Sequence, residues 1–330
     1  MTLLEVDRLS TSFFTRNGEL KAIEDISFTV ESGEVLAIVG ESGCGKSLTA
    51  LSMLRLVPDP PGRIVSGRVC LDGIDLLQIP EAEMRSIRGD RVSMIFQEPM
   101  TSLNPVLRIG TQIVEAQQLH RDISREDARK RAIELLELVG MPDPEARVDD
   151  YPHRLSGGQR QRVMIAMALA LEPRLLIADE PTTALDVTIE AQILELLVSI
   201  QAKMGMGIVL ITHDLGVVAE IADRVLVMYA GRVVEEASVY DLFDNPKHPY
   251  TRGLIDANPG IAPAKTRLRE IPGIVPPLGA RETGCSFADR CDLADARCSA
   301  QRPDLRVVAD GHKAACFYAN AVKTGSEVST

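Results

Sequence analysis

An α/β fold built on a parallel sheet is predicted by three observations on the sequence. Short runs rich in Ile, Leu and Val alternate with helix-like stretches, a glycine-rich segment joins one such run to a helix, and another run ends in two acids. The apolar runs lie at residues 34–39, 91–96, 175–178 and 207–212. Continuous apolar runs indicate strands buried on both faces, and their alternation with helices is typical of a parallel sheet covered by helices.

The composition narrows the class of protein. The 330 residues are 45% hydrophobic and 25% charged, which is ordinary for a globular chain of about two domains. The longest apolar run, 163–171, is too short to cross a bilayer. Residues 1–10 lack the basic and apolar regions of a signal peptide, so we expect a cytosolic chain. A net charge of −11 and the absence of Trp disfavour nucleic-acid binding.

Two regions follow from the patterns along the chain. Residues 1–255 contain the alternating strands and helices, with a helical insertion at about 97–158 that includes a capping pattern at 124–127, and with a final strand pair at 223–234. Residues 256–330 begin with the prolines and glycines of a linker and continue into a cysteine-rich extension. The polar tail is expected to be disordered.

A phosphate-binding loop is predicted at residues 40–47. The segment fits G-x-x-x-x-G-K-[ST], with a strand before it and a helix predicted at 47–56 after it. Glycines allow backbone N–H groups to face an anion, the lysine reaches the β- and γ-phosphates, and the serine holds Mg²⁺. The residues assigned to the nucleotide are Gly40, Glu41, Ser42, Gly43, Cys44, Gly45, Lys46 and Ser47. We expect Cys44 to be a small loop residue rather than a redox switch.

The strand predicted at 175–178 ends in two carboxylates, Asp179 and Glu180. The first is placed to orient Mg²⁺ and its water, and the second to polarise the water that attacks the γ-phosphate. Acids often end strands, so the catalytic interpretation depends on the phosphate loop upstream.

A second anion site is predicted at the start of a helical stretch. Ser156 is a suitable cap, Gly157 and Gly158 expose backbone N–H groups, and Gln159 follows them. One nucleotide rarely needs two γ-phosphate sites. This segment is therefore predicted to close on a nucleotide held by a partner chain.

Together these motifs resemble the ATPase subunits of ATP-binding cassette (ABC) proteins over about residues 3–250. The resemblance implies an ABC-type nucleotide-binding domain with a phosphate-loop sheet core, an antiparallel β edge and a helical subdomain. It implies that Gln97 contacts Mg²⁺ and the attacking water, that His213 contacts the γ-phosphate, and that 184–186 contacts the second ATPase. Phe13, or alternatively Phe14, would stack on adenine, and two such domains would sandwich two ATP molecules.

Three segments resemble the oligopeptide/dipeptide importer family, namely 98–105, 248–251 and 271–273 followed by cysteines. The resemblance, strongest to dipeptide importer ATPases, implies a peripheral subunit on the cytoplasmic face of the inner membrane. Its partners would be a second, paralogous ATPase or a second copy of itself, two transmembrane permeases and an extracytoplasmic substrate-binding protein. Three alternatives stay open: import of nickel, glutathione or another small solute; a soluble ABC ATPase of DNA repair or translation; and a non-hydrolysing regulatory partner.

Four cysteines near the end follow the spacing C-x5-C-x6-C-x17-C: Cys285, Cys291, Cys298 and Cys316. Four thiolates can hold a [4Fe–4S] cluster or Zn²⁺, although the C-x-x-C pairs of a zinc ribbon are missing. The importer family has a matching extension, which binds a [4Fe–4S] cluster in some members; a disulfide or free thiols are the alternatives. A cluster would staple a small extension that buries little core. We expect His312 to be an exposed histidine and not a further ligand.

Overall fold

The computed structural model describes residues 1–97, 102–183, 186–258, 270–277 and 283–322. Over these residues the strands are β1 (Thr2–Thr15), β2 (Gly18–Glu31), β3 (Val35–Val39), β4 (Gly62–Leu71), β5 (Ile74–Asp75), β6 (Val92–Ile95), β7 (Leu175–Asp179), β8 (Gly207–Thr212), β9 (Arg224–Tyr229), β10 (Arg232–Ser238), β11 (Arg306–Ala309) and β12 (His312–Ala314).

The α-helices described are α1 (Lys46–Met53), α2 (Glu81–Ile87), α3 (Ile109–Gln118), α4 (Arg125–Leu138), α5 (Pro144–Arg147), α6 (Gly157–Ala168), α7 (Val187–Met204), α8 (Leu215–Ile221), α9 (Val239–Asp244), α10 (Pro249–Asp256) and α11 (Ala296–Ala300). Single 3₁₀ turns lie at Pro152–Arg154, Ala288–Arg290 and Ala319–Ala321. The chain divides into two compact units. The first contains residues 1, 31–34 and 78–210, and the second contains 2–30, 35–77 and 211–330.

In the first unit, β6 and β7 are parallel, with Met94 opposite Ile177. The strand β8 begins in this unit and lies next to β7. The helices predicted between these strands are present as α3, α4 and α5. Ser124 caps α4 by accepting a hydrogen bond from the Asp127 N–H (3.1 Å), as the sequence predicts. The two carboxylates predicted at the end of β7 therefore belong to a parallel sheet with helices beside it.

In the second unit, the phosphate loop follows a fully buried strand. All five residues of β3 are buried, which agrees with the apolar run predicted at 34–39. One neighbour of β3 in the sheet is the parallel strand β9, with Ile38 opposite Leu226. A separate sheet contains β2, β1, β4 and β5 in that order, with β1 and β4 antiparallel. These strands form the antiparallel β edge that the resemblance implies.

The strand pair predicted at 223–234 as the last of region 1–255 is present as β9 and β10. The hairpin of β11 and β12 extends the same sheet, because β12 pairs antiparallel with β10 and Glu235 lies opposite Ala314. Three of the four clustered cysteines precede this hairpin in the chain, and Cys316 follows it. The domain boundary near residue 255 stays a prediction, since strands can pair across such a boundary.

His312 is not an exposed histidine, so that prediction is wrong. It is 2% exposed, and its Nε2 donates to Oε1 of Glu235 over 2.7 Å. Glu235 is itself 0% exposed and also accepts hydrogen bonds from the backbone N–H groups of Lys247 and His248. A buried carboxylate needs such donors, and its histidine partner lies 77 residues along the chain. The burial of both residues therefore depends on the pairing of β10 with β12.

Candidate functional site

The phosphate loop has the backbone that its glycines predict. Gly40 has φ 152°, and a Cβ at this position would lie 2.3 Å from the backbone oxygen of Met228, so only glycine fits. Gly45 is the N-cap of α1 with φ 104°. This left-handed turn into a helix start is the arrangement that presents successive N–H groups to phosphate. The predicted helix at 47–56 is observed slightly earlier, as α1.

Lys46 lies folded back on its own loop. Its ammonium donates to the backbone oxygens of Gly40 (2.7 Å) and Glu41 (3.2 Å), and the side chain is buried. The two carbonyl oxygens keep the ammonium inside the loop, and phosphate oxygens would take their place as acceptors when a nucleotide binds. Cys44 is wholly buried, and burial raises the pKa of its thiol, which agrees with a small, protonated loop residue.

The carboxylate of Glu180 is held by two hydrogen bonds in the first unit. Its Oε2 accepts from Gln97 Nε2 and from Thr183 Oγ1, each over 2.9 Å. Asp179 precedes it as the buried last residue of β7, and Glu180 itself leaves the strand with φ 46°. The structure thus brings together Gln97 and Glu180, and their predicted roles at the attacking water stay predictions. Thr183 is a contact that the sequence analysis missed, although a hydroxyl three residues after a strand-end acid was the available signal.

Two reciprocal hydrogen bonds between Ser156 and Gln159 cap the glycine-rich helix start in the first unit. Ser156 Oγ accepts from the Gln159 N–H over 3.3 Å, and Gln159 Oε1 accepts from the Ser156 N–H over 3.0 Å. This reciprocal capping box satisfies two orphan groups at the start of α6. The fixed helix start leaves Gly157 exposed. The cap at Ser156 is as the sequence predicts, and the box adds a structural reason for Gln159.

The remaining predicted nucleotide contacts occupy exposed or partly buried positions. His213 follows β8 and is exposed, and Asp214 beside it caps α8 by accepting from the Gly216 N–H over 2.7 Å. Phe13 is partly buried. Phe14 is 44% exposed, with the Arg63 guanidinium 5.3 Å from its ring centre. Burial therefore leaves Phe14, the alternative, more available for stacking than Phe13.

Part of two predicted segments lies outside the described residues. These are 98–101 of the segment after Gln97, and 184–185 of the predicted contact with a second ATPase. Asp186, the last residue of that contact, is described and caps α7 by accepting from the Ile189 N–H over 3.1 Å. The polar tail at 323–330 lies outside as well.

All four clustered cysteines line one cavity of about 20 Å³: Cys285, Cys291, Cys298 and Cys316. No disulfide bond joins these four cysteines, and burial raises the pKa of Cys316 to about 11 and also raises that of Cys291. The donor set fits an iron–sulfur cluster, but the cavity has room for about one water molecule. Within the described ranges, no three His, Cys, Asp or Glu side chains are grouped so as to hold a metal ion. Cluster binding would therefore require these loops to rearrange.

A phosphate loop, a strand ending in a held carboxylate and a capped glycine-rich helix start define a P-loop ATPase. A family model described as ABC transporter matches residues 23–183, and one described as oligopeptide/dipeptide transporter, C-terminal region, matches 234–298. In the described part of the chain, no helix combines the length and the apolar character that crossing a bilayer demands.

Curated relatives match nearly the whole chain. A probable peptide ABC transporter ATP-binding protein of Sinorhizobium fredii is 54% identical, covering 97% of this chain and 96% of its own. The dipeptide transport ATP-binding protein DppD of Escherichia coli is 51% identical, covering 96% and 97%. The oligopeptide transport ATP-binding protein OppD of Bacillus subtilis is 52% identical, covering 94% and 87%. The chain belongs to the ABC transporter ATP-binding proteins of the oligopeptide/dipeptide family and is an ABC ATPase.

Solved structures agree in fold. A dimeric post-hydrolysis state of the ATP-binding cassette MJ0796, bound to ADP and Pi, superposes with a TM-score of 0.64 at 28% identity, covering 72% of this chain and 99% of that one. CbiO1 from Clostridium perfringens, part of the ABC transporter complex CbiONQ, gives a TM-score of 0.62 at 29% identity, covering 74% and 91%. The ABC nucleotide-binding fold predicted from the sequence is confirmed.

Proposed function

We propose that this chain is the ATP-hydrolysing subunit of an importer for di- or oligopeptides. The observation that supports the cargo most directly is the extent of the match. Relatives described as peptide or dipeptide transport ATP-binding proteins are similar over 94–97% of the chain, including the region after the cassette. The matched C-terminal region, 234–298, is described by the same transporter class.

The proposed chemistry assigns a role to each predicted residue. Lys46 would exchange its contacts with loop carbonyls for the β- and γ-phosphates. Ser47, Gln97 and Asp179 would hold Mg²⁺, which would supply positive charge to the transferred phosphoryl group. Glu180 accepts a proton from the attacking water, with its carboxylate oriented by Gln97.

Two ATPases are proposed to share each nucleotide. The start of α6 at Ser156, Gly157 and Gly158 presents backbone N–H groups to the γ-phosphate held by the second ATPase, and His213 contacts the γ-phosphate within its own chain. The capping box supports this role because it fixes the helix start before any ligand arrives. MJ0796, which is similar in fold, is described as dimeric. The second ATPase is a paralogue or another copy of this chain.

The proposed partners are tested by affinity capture of the full chain from detergent-solubilised native membranes. The importer is expected to bring down two polytopic permeases, a second ATPase and, on its outer side, a substrate-binding protein, which would place the chain at the cytoplasmic face of the membrane. Capture with the tag alone is the control. Recovery of ribosomal or DNA-repair proteins without permeases would contradict the transport function while leaving the ATPase chemistry standing.

We also propose that the cysteine-rich extension binds a [4Fe–4S] cluster through Cys285, Cys291, Cys298 and Cys316. The support is that all four thiols line one cavity. Protein purified without oxygen is expected to contain about four irons per chain. Replacing Cys298 by serine is expected to abolish the iron, whereas Cys70→Ser, which alters a cysteine outside this cavity, leaves it unchanged. Iron-free protein, or equal iron in both variants, would show that the thiols serve another purpose.

A further inference from the structure

Glu41, the second residue of the phosphate loop, is held by two segments that lie far along the chain. Its backbone N–H donates to the hydroxyl of Tyr250 over 2.8 Å. Its carboxylate accepts two hydrogen bonds from the guanidinium of Arg290, over 2.6 Å and 2.9 Å. Tyr250 belongs to the 248–251 segment and Arg290 to the cysteine-rich extension, so residues after the cassette motifs complete this part of the loop.

Arg290 is built into its position. Its side chain is 5% exposed, its Nε donates to the backbone oxygen of Pro272 over 2.8 Å, and one terminal nitrogen donates to that of Ile271 over 3.3 Å. The guanidinium also lies 5.8 Å from the ring centre of Tyr229. An arginine guanidinium is always charged in proteins, so the contact with Glu41 is an ion pair. Such a bidentate contact fixes both the position and the orientation of the carboxylate.

The backbone around Arg290 is set by the cysteine segment. A single 3₁₀ turn, Ala288–Arg290, lies between Cys285 and Cys291. The Ala288 N–H donates to the Cys285 oxygen over 3.1 Å, and the Cys291 N–H donates to the Ala288 oxygen over 3.3 Å. The place of Arg290 therefore depends on this turn, and the turn is anchored at both ends by residues that line the thiol cavity.

The charge of Glu41 explains why the phosphate loop needs this contact. The loop binds a polyphosphate anion, and a carboxylate one residue after its first glycine would repel that anion if it had no counter-charge. Lys46 does not serve as the counter-charge, because its ammonium donates to the backbone oxygens of Gly40 and Glu41. Arg290 supplies a fixed positive charge that leaves Lys46 available for the phosphates.

We propose that Arg290 is a positioning residue of the nucleotide site: it neutralises Glu41, fixes the start of the phosphate loop and thereby couples the cysteine-rich extension to ATP affinity. This role rests on the proposed function of the loop. Its distinctive consequence is that the loss of affinity grows with the charge of the nucleotide, because the unpaired carboxylate repels phosphate. A purely structural role would weaken every nucleotide alike.

The test measures the binding of ATP, ADP and adenosine to the purified full chain. Arg290→Gln is expected to weaken ATP binding about tenfold, equivalent to 1.4 kcal/mol, with a smaller loss for ADP and none for adenosine. The double variant Arg290→Gln with Glu41→Gln is expected to return to within about threefold of wild type, since it leaves no carboxylate unpaired. Arg68→Gln removes a half-exposed partner of Glu5 on the same unit and is the matched control, with no change expected.

Wild-type ATP affinity in Arg290→Gln, an equal loss for all three ligands, or a double variant as weak as Arg290→Gln would each overturn the proposal. If Arg290→Gln fails to fold, Arg290→Lys is the second test, because lysine keeps the charge but cannot make the bidentate contact. Its ATP affinity is expected to be two- to fivefold below wild type. Wild-type affinity in this variant would contradict the proposed role. Lys46→Ala distinguishes failure of the proposed nucleotide site from failure of the proposed coupling. ATP binding that is unchanged in Lys46→Ala contradicts the proposed nucleotide site, whereas unchanged binding confined to the Arg290 variants contradicts only the coupling.

Discussion

Replacing Glu180 by glutamine is expected to lower kcat for ATP hydrolysis by about 10²–10⁴-fold while ATP binding is retained. Glutamine preserves the size of the side chain and its ability to accept from Gln97 and Thr183, but it cannot take a proton from the attacking water. The measurement is steady-state phosphate release beside equilibrium ATP binding. Retained binding with lost turnover would separate the catalytic step from the nucleotide site.

The matched control is Glu134→Gln in the same unit. Glu134 is a partly exposed carboxylate on α4 that pairs with Arg131 over 3.1 Å, and its replacement is expected to leave both kcat and ATP affinity unchanged. If Glu180→Gln hydrolysed ATP at the rate of this control, Glu180 would not be the base. In the purified complex with the second ATPase, a rate unchanged by Glu180→Gln would instead favour the regulatory, non-hydrolysing alternative for this chain.

The second large effect is expected on stability. Glu235→Ala removes the acceptor shared by His312 Nε2 and the backbone N–H groups of Lys247 and His248. Both histidines are buried and Lys247 is partly buried. Leaving buried donors without a partner costs several kcal/mol, so we expect the free energy of unfolding to fall by about 3–5 kcal/mol. Denaturant unfolding of the wild-type protein and of Glu235→Ala measures this difference.

A second glutamate on a strand of the same unit provides the comparison. Glu5 lies on β1, is about half exposed and pairs with Arg68 over 2.9 Å. Glu5→Ala is expected to change the free energy of unfolding by less than about 1 kcal/mol. Equal effects of Glu235→Ala and Glu5→Ala would mean that the buried hydrogen bonds add no net stability.

Stability at acidic pH is expected to depend on His248, whose backbone N–H donates to Glu235. Burial lowers the pKa of His248 to about 4, below the ordinary value of 6.5. Its neutral form therefore contributes full stability above about pH 6.5, and this contribution declines as the pH falls from there toward 4, because the unfolded chain takes up the proton first.

Much of the fold was predictable because its signals are local. The run at 207–212 coincides with β8, and the apolar run before the phosphate loop differs from β3 by one residue. The cap at Ser156 and the glycine turn at Gly40 also follow from neighbouring residues alone. Short buried strands and helix starts are decided by a few adjacent side chains, so a single sequence suffices to find them.

What escaped prediction depends on residues distant in sequence. The sequence analysis gives Glu235 no role and expects His312 to be exposed, whereas both are buried where β12 pairs with β10. The contact of Arg290 with Glu41 is of the same kind, since neither residue indicates the other. The segments 248–251 and 271–273 were recognised by resemblance, yet their physical role around Glu41 is visible only in three dimensions.

The contact between Glu41 and Arg290 also orders events during synthesis. The two residues are 249 positions apart. At ribosomal speeds of roughly 5–20 residues per second, Arg290 is made about 12–50 s after Glu41. During that interval the nascent phosphate loop lacks the counter-charge of Arg290, so the proposed role implies a lower affinity for ATP until Arg290 is made and folded in place.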